Sequence, residues 1–320
     1  MALAHRAHAL AHLRSDGGGL FAMRRWAHRT HLAGLLAILA ACGAGGGQGR
    51  AVPPGAIAVT DGAGRRIALA GPARRIVSLS PAVTELLFAL GAGDRMVGRT
   101  TWCDYPPEVR QVPTVGDGLN PDLEAVVAAR PDLVVLYRSA LNETAADQLA
   151  RLGISTLLLT QDRLEDLAYA ARVLGRVTDR QRVGDSVAEA IARVLATPAP
   201  GPGIRAALIA WDNPPMVIGG GSYLDELATL AGARNVFHDL GSADVVSLET
   251  IAARDPDVIV VLSDSAAVGP PAFARRPSWQ VVRAVRERRF VTLAGSLFGR
   301  PSPRAPAAIA VFHRLLEAAR

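Results

Sequence analysis

"LEAVVAARPDLVVL" (Leu123–Leu136) and "LETIAARDPDVIVVL" (Leu248–Leu262) decide the fold. Both begin Leu-Glu, both reach Pro-Asp seven residues after the glutamate, and both then enter an apolar, largely β-branched run. The first half of each spaces its apolar residues for a helix. Proline ends that helix, and the run that follows reads as a buried strand. The second copy begins 125 positions after the first. A helix feeding a strand twice at that separation is an internal repeat of domain size, not a short-period solenoid.

Working outward from the first copy, "AIAVTDGAGRRIAL" (56–69) alternates around an Asp61-Gly62 turn signal and reads as a hairpin. "RIVSL" (75–79) is a short buried strand. Ser80 as N-cap and Pro81 behind it open a helix that Gly91 stops. "RMVGRT" reads as a strand, Asn120-Pro121 as the start of a helix through Arg130, "PDLVVLY" as a strand, "NETAADQLARLG" as a helix and "ISTLLLT" as a strand. This βαβ alternation predicts a parallel sheet with helices on both faces. From Leu164 to about Leu195 the pattern is helical, interrupted by Gly175 and Gly184, until "TPAPGPG" breaks it. The alternation then restarts. "IRAALIAW", "PDVIVVL" and "RFVTLA" read as strands; "SYLDELATLAG", "SLETIAARD", "PSWQVVRAVRER" and a closing "PRAPAAIAVFHRLLEAAR" read as helices. The expected organisation is an N-terminal α/β lobe over 56–163, a linking helix over 164–197 and a C-terminal α/β lobe over 203–320.

The 320 residues suffice for two ordinary domains, and half of them are apolar. The formal charge is +6, which at first suggests an anionic partner. Its placement removes that reading. Residues 1–42 hold Arg6, Arg14, Arg24, Arg25 and Arg29 against Asp16 alone, leaving about +2 for the rest. No basic run interleaved with aromatics follows, so nucleic-acid binding is not expected. The chain contains no lysine.

"MRRWAHRTHLAGLLAILAACGAGGGQG", from Met23, places two arginines before an apolar run, Leu32–Ala41, that ends at Cys42. That run is too short to span a bilayer, which needs ~20 residues, and fits the core of a secretory signal. Leu39-Ala40-Ala41-Cys42 resembles a bacterial lipobox, which implies a signal region over 1–42 and lipidation of Cys42, hence a membrane anchor that does not span. Because a complete signal starts at Met23, residues 1–22 are read as an over-extended start. Residues 43–55 read as a flexible tether. With Cys42 lipidated, Cys103 is the one cysteine left, and no intramolecular disulfide is expected.

The chain has no GxSxG, HExxH, GxxxxGK[ST] or CxxC. "GGGSYLDEL" (Gly219–Leu227) sets glycines before a helix and could meet an anion, although it lacks phosphate-loop spacing and also reads as a plain strand-to-helix turn. Five of seven histidines precede Cys42; His238 and His313 remain, so no bare-metal site and no resident cofactor are expected. Only 15 aromatic residues occur, and several stand where βα loops begin: Trp102 and Tyr105, Tyr137, Trp211, and Phe298 next to Arg300. Ligands of open α/β sheets sit beyond the carboxyl ends of the strands. Rings placed there in both lobes predict a cleft for a large, flat, partly apolar ligand.

Glu124 and Glu249 each fall in the first turn of a helix, where the helix dipole favours a carboxylate by ~0.3–1 kcal/mol. The dipole accounts for either glutamate alone, not for the repetition of the unit around it. One exposed carboxylate per lobe would suit a two-fold symmetric, cationic partner.

Six stretches in order resemble the substrate-binding lipoproteins of iron-chelate and vitamin B12 ABC importers. They are "RIVSLSPAVTELLFALGAGDRMVG", "CDYPPEV", "NPDLEAVVAARPDLVVL", "GGGSYLDELATLAGARNVF", "SLETIAARDPDVIVVL" and "RPSPR". The resemblance runs from about residue 57 to the end. It implies two Rossmann-like lobes with parallel-rich sheets, joined by one long rigid helix, with ligand in the cleft between them. It further implies that Glu124 and Glu249 pair with permease arginines, and that Trp102, Tyr137, Trp211 and Arg300 lie at the ligand; Tyr105 and Phe298 join the expected ligand residues by their placement beside these. The sequence departs from the B12-binding members at three places: "TVGDGLN" before Asn120 carries no tryptophan, Ser296 stands four residues before Arg300 in place of an aspartate, and "SADVVS" replaces a tryptophan ahead of the second glutamate. The expected function is therefore an exported, lipid-anchored, monomeric receptor, not an enzyme, that passes a corrinoid to an importer. A ferric siderophore or haem is the rival ligand. An exported enzyme using Asp104 and Asp212 as acid and base is the distant alternative, and Cys103 reads as a packed thiol.

Overall fold

The structure is a computed structural model that describes residues 55–197, 203–263 and 270–319. The signal region 1–42, with Cys42, and all but Gly55 of the 43–55 tether lie outside the described residues.

The first lobe begins with the expected hairpin, β1 (Ile57–Thr60) and β2 (Arg66–Leu69), paired antiparallel. Its main sheet contains β3 (Ile76–Leu79), β4 (Met96–Arg99), β5 (Leu133–Tyr137) and β6 (Ser155–Leu159) in the order β4-β3-β5-β6, every pair parallel. The helices are α1 (Pro81–Ala89), α2 (Leu123–Ala128) and α3 (Ala140–Arg151). Helix α1 starts as the sequence predicts, with Ser80 capping the Val83 amide and Pro81 at the first turn. Helix α2 starts two residues later than expected. Asp122, not Asn120, is its cap, accepting the Ala125 N–H at 3.0 Å.

The segment 164–197 corrects an expectation. It is not one long helix but two, α4 (Leu164–Val177) and α5 (Gln181–Ala196), folded back on each other across a turn in which Asp179 takes φ 55°. The two glycines that interrupt the periodicity explain the packing. A Cβ on Gly184 would lie 2.5 Å from the Ala171 carbonyl oxygen, and one on Gly175 would lie 3.1 Å from the Gly184 Cα. The helices therefore cross backbone to backbone, which only glycine permits. Helix α4 buries Leu164, Leu167, Leu174 and Val177 as a face of the first lobe, and α5 alone continues the chain onward.

In the second lobe come β7 (Ile204–Asp212), β8 (Pro215–Val217), α6 (Tyr223–Leu230), β9 (Ala233–Asn235), β10 (Asp244–Val245), α7 (Leu248–Ala253), β11 (Val258–Ser263), α8 (Arg283–Arg286), β12 (Phe290–Ala294), α9 (Gly295–Phe298) and α10 (Ala305–Ala318). Strands β7, β11 and β12 are parallel neighbours. β9 joins the start of β7 in parallel, and β8 and β10 extend the sheet antiparallel. The short strands β8, β9 and β10 have no apolar run long enough to announce them. The helix expected over "PSWQVVRAVRER" is reduced to a 3-10 turn, Pro277–Val281, and the single turn α8, because Trp279 and Val282 both plug into the core.

Alternation along each central strand divides the interior into layers. Leu133 and Val135 of β5 and Ala206 and Leu208 of β7 face one shared core, which also takes α4, α5 and α10. Val134 and Leu136 face the outer layer of the first lobe, while Ala207 and Ile209 face that of the second. The two lobes are thus built on one continuous apolar interior within a single compact unit, Pro53–Arg320.

Candidate functional site

The strands of both sheets end towards loops that carry the predicted rings. Beyond β4, the Arg99 guanidinium staples the loop by donating to the Val112, Thr100 and Cys103 carbonyls at 3.0, 3.0 and 3.2 Å. Cys103 is buried, its Sγ 3.1 Å from Thr84 Oγ1 and 3.2 Å from Thr100 Oγ1, so the thiol packs the loop base. Trp102 and Tyr105 project from this loop, 46% and 40% exposed. Trp211, at the end of β7, is 49% exposed and fixed by its indole N–H to the Asn213 carbonyl at 2.8 Å. Tyr137 ends β5 half-buried and donates to Asp162 at 2.7 Å. Phe298 is a correction. It is 2% exposed and meets Phe312 edge-on with ring centres 5.9 Å apart, so it belongs to the core and lines no cleft.

Arg300 sits in a cluster that sequence reasoning missed. Glu85, on α1 of the first lobe, has its side chain 1% exposed. It accepts from Arg300 Nε at 3.1 Å, from Arg304 Nε and Nη2 at 2.8 Å each, and from the Ser302 hydroxyl, all in the second lobe. Arg300 also pairs with Asp104. Arg304 lies 3.8 Å above the Tyr105 ring, a cation–π contact. A second crossing joins Arg163 to Glu226 at 3.2 Å, with the Leu164 amide donating to the same carboxylate at 2.9 Å. The hydrogen bond that Arg163 donates to Glu226 holds the Arg163 pKa above its ordinary value. Beside these charges, burial, reinforced by the Glu85 and Glu226 charges, pushes the Tyr223 phenol well above the usual tyrosine range, so it stays neutral. The Tyr223 hydroxyl and Gln161 Nε2 are buried with no hydrogen-bond partner among the described residues.

A signal for Glu85 was present. "PAVTELLFAL" is an apolar helix with a single charge, and a lone acid on a buried face requires partners inside.

Asp104 and Asp212 stand in separate ion pairs, with Arg300 and with Arg276 (2.6 Å). Among the described residues no three His, Cys, Asp or Glu side chains group closely enough to hold a metal ion. The "GGGSYLDEL" glycines have a packing reason: a Cβ on Gly219 would fall 1.8 Å from the Gly241 carbonyl oxygen, and one on Gly220 2.2 Å from that of His238. Glu124 and Glu249 are both exposed, each the second residue of its helix. Glu249 is held below the ordinary carboxylate range by its own backbone N–H and by the Ser247 side chain.

Two α/β lobes whose strand-end loops carry Trp102, Tyr105, Tyr137 and Trp211 make up the described residues. The chain belongs to the periplasmic binding protein family, which matches residues 76–297. It is 26% identical over 263 residues to the ABC transporter substrate-binding lipoprotein YvrC of Bacillus subtilis (strain 168), covering 78% of this chain and 81% of that protein. It is 34% identical over 194 residues to the vitamin B12-binding protein of Salmonella typhimurium (strain LT2), covering 59% of this chain and 72% of that one. The periplasmic heme-binding protein BhuT, solved with two hemes, superposes with TM-score 0.68 at 27% identity over 78% of this chain and 99% of that one. The protein is thus an exported solute-binding protein of this family. Among the described residues no helix is long and apolar enough to cross a membrane.

Proposed function

We propose that this protein captures a corrinoid, a vitamin B12-like chelate, in the cleft and delivers it to an ABC permease without chemical change. The observation that carries the reading is the placement of three half-exposed rings, Trp102, Tyr105 and Trp211, on strand-end loops of both lobes, with Tyr105 against Arg304, whose charge is already balanced by Glu85. Flat apolar faces suit a macrocycle, and a balanced arginine suits a ligand rich in neutral amides. A relative named for vitamin B12 supports the choice; the neighbour named for heme supports the rival. The metal travels inside the chelate, and no resident cofactor takes part. Lipid on Cys42 tethers a monomer to the membrane, while Glu124 and Glu249 meet permease arginines, one per lobe. Residues 43–320, titrated with cyanocobalamin, haem and ferric siderophores by tryptophan quenching and calorimetry, test the ligand. Saturable binding of cyanocobalamin in preference to the others is expected; preferential binding of any other chelate would assign that ligand in its place.

A further inference from the structure

We propose that Glu85 sets the net charge of the ligand the cleft accepts, by cancelling the arginines that would otherwise draw anionic chelates; this rests on the cleft reading above. Two guanidiniums, Arg300 and Arg304, meet two carboxylates, Glu85 and Asp104, so the cluster is electrically neutral. The carboxylate that does most of this is sealed. The Glu85 side chain is 1% exposed and takes four donors, whereas Arg300 and Arg304 keep 19% and 21% of their side chains open. A ligand reaching the cluster therefore meets guanidinium edges whose charge is spent from behind. Tyr105, a cleft ring 40% exposed, lies against Arg304, which makes the cluster continuous with the aromatic wall.

The consequence is a filter by charge. A chelate bearing several carboxylates finds no uncancelled cation here, and it faces Asp104, whose side chain is 45% exposed. Like charges brought together in a partly desolvated site disfavour binding. A neutral chelate loses nothing by the cancellation and can still accept hydrogen bonds from the open guanidinium edges. A cluster that served only to hold the lobes together would not sort ligands by charge.

The test is the ratio of haem affinity to cyanocobalamin affinity, haem carrying two anionic propionates and cyanocobalamin no net charge. It is measured on purified wild-type protein, Glu85→Gln and Asp104→Asn. Glu85→Gln keeps the shape and removes one unit of charge, so the ratio is expected to rise about tenfold, as one charge at a site of intermediate polarity implies. Asp104→Asn should raise it by less, being better hydrated, and both rises should shrink at about 0.5 M salt. If Glu85→Gln fails to fold, shown by its near-UV circular dichroism, the exposed Asp104→Asn carries the test alone. A ratio that stays fixed or falls overturns the role of Glu85. A wild type that already prefers haem, with variants that raise the ratio further, sinks the corrinoid reading and leaves the charge filter standing.

Discussion

The two Leu-Glu…Pro-Asp units can be compared atom by atom, and they agree in more than sequence. In each lobe a six-residue helix is capped by a side chain that accepts the amide three residues on, Asp122 to Ala125 and Ser247 to Thr250. Just past the C-cap of each helix stands a residue in the left-handed region, Arg130 at φ 47° and Asp255 at φ 39°. An arginine at the start of the paired neighbouring strand, just before β3 in one lobe and on β7 in the other, caps the freed carbonyls. Arg75 donates to Arg130 O and Ala129 O at 2.8 and 2.7 Å; Arg205 donates to Asp255 O at 3.2 Å and to Arg254 O. The aspartate of Pro-Asp then reaches back to that same strand. Asp132 accepts the Arg74 and Arg75 amides at 2.8 and 3.0 Å, and Asp257 accepts the Arg205 amide at 3.2 Å. The units differ in what surrounds this frame. In the second lobe Arg283 pairs with Asp255 and Asp257 at 2.7 and 2.9 Å, and Arg254 pairs with Asp239. Of these three ion pairs, the first lobe's Ala129, Arg130 and Asp132 show no counterpart among the described residues. The frame is duplicated; the charges around it have diverged.

The largest break in the comparison lies in the strands the frame sets. Leu136 on β5 and Val261 on β11 hold equivalent positions in the outer layers of the two lobes. Leu136→Ala removes a fully buried side chain, and a loss of ~2–5 kcal/mol is expected from urea unfolding. Val261→Ala removes fewer carbons at a site 8% exposed, for about 1–2 kcal/mol. Equal losses would show that the two layers are not packed differently. The next effect is at the clamps. Asp132→Ala strips two backbone amides of an ionised acceptor, for about 1–3 kcal/mol. Asp257→Ala strips one, and Arg283 keeps Asp255, so the loss should be about half. A larger loss at Asp257 would mean that the added ion pairs in the second lobe have become part of the frame.

Much of this was legible in the sequence because period and punctuation are local. The strands β3, β5, β6, β7, β11 and β12, the start of α1 and the lobe-scale repeat all follow from apolar spacing, Ser-Pro and Pro-Asp. What escaped depended on contacts far apart in the chain. Gly175 and Gly184 read as interruptions in one helix, yet they are where two helices cross; distance, not periodicity, distinguishes these. Phe298 sits beside Arg300 in sequence but turns into the core onto Phe312. Glu85 and Arg304 are more than two hundred residues apart, and nothing local to either names the other. Pro-Asp reads as punctuation; that its aspartate clamps the neighbouring strand is visible only once the sheet forms.

The smallest structural effect, and the one that separates frame from function, belongs to the glutamates. Neither Glu124 nor Glu249 takes part in the arginine fork or the clamp, Glu249 touches only the Ser247 cap, and both are exposed. Glu124→Arg and Glu249→Arg should each cost no more than about 1 kcal/mol, the scale of a carboxylate's interaction with the helix dipole. Glu249 has one measurable signature. Its folded pKa lies below the ordinary 4.5, so it adds stability that is present above that pH and disappears as pH falls through the lowered value. Melts of Glu249→Gln against wild type should therefore differ slightly at neutral pH and converge in strong acid. The docking proposal makes a sharper demand. Each single charge reversal should impair transport in a reconstituted importer, and the double reversal should abolish it, with cyanocobalamin affinity unchanged throughout. If one reversal is silent, the permease reads one lobe and the symmetry of the repeat is structural alone. If ligand affinity falls with transport, the glutamates belong to the cleft, and the repeat marks ligand contacts instead of a docking face.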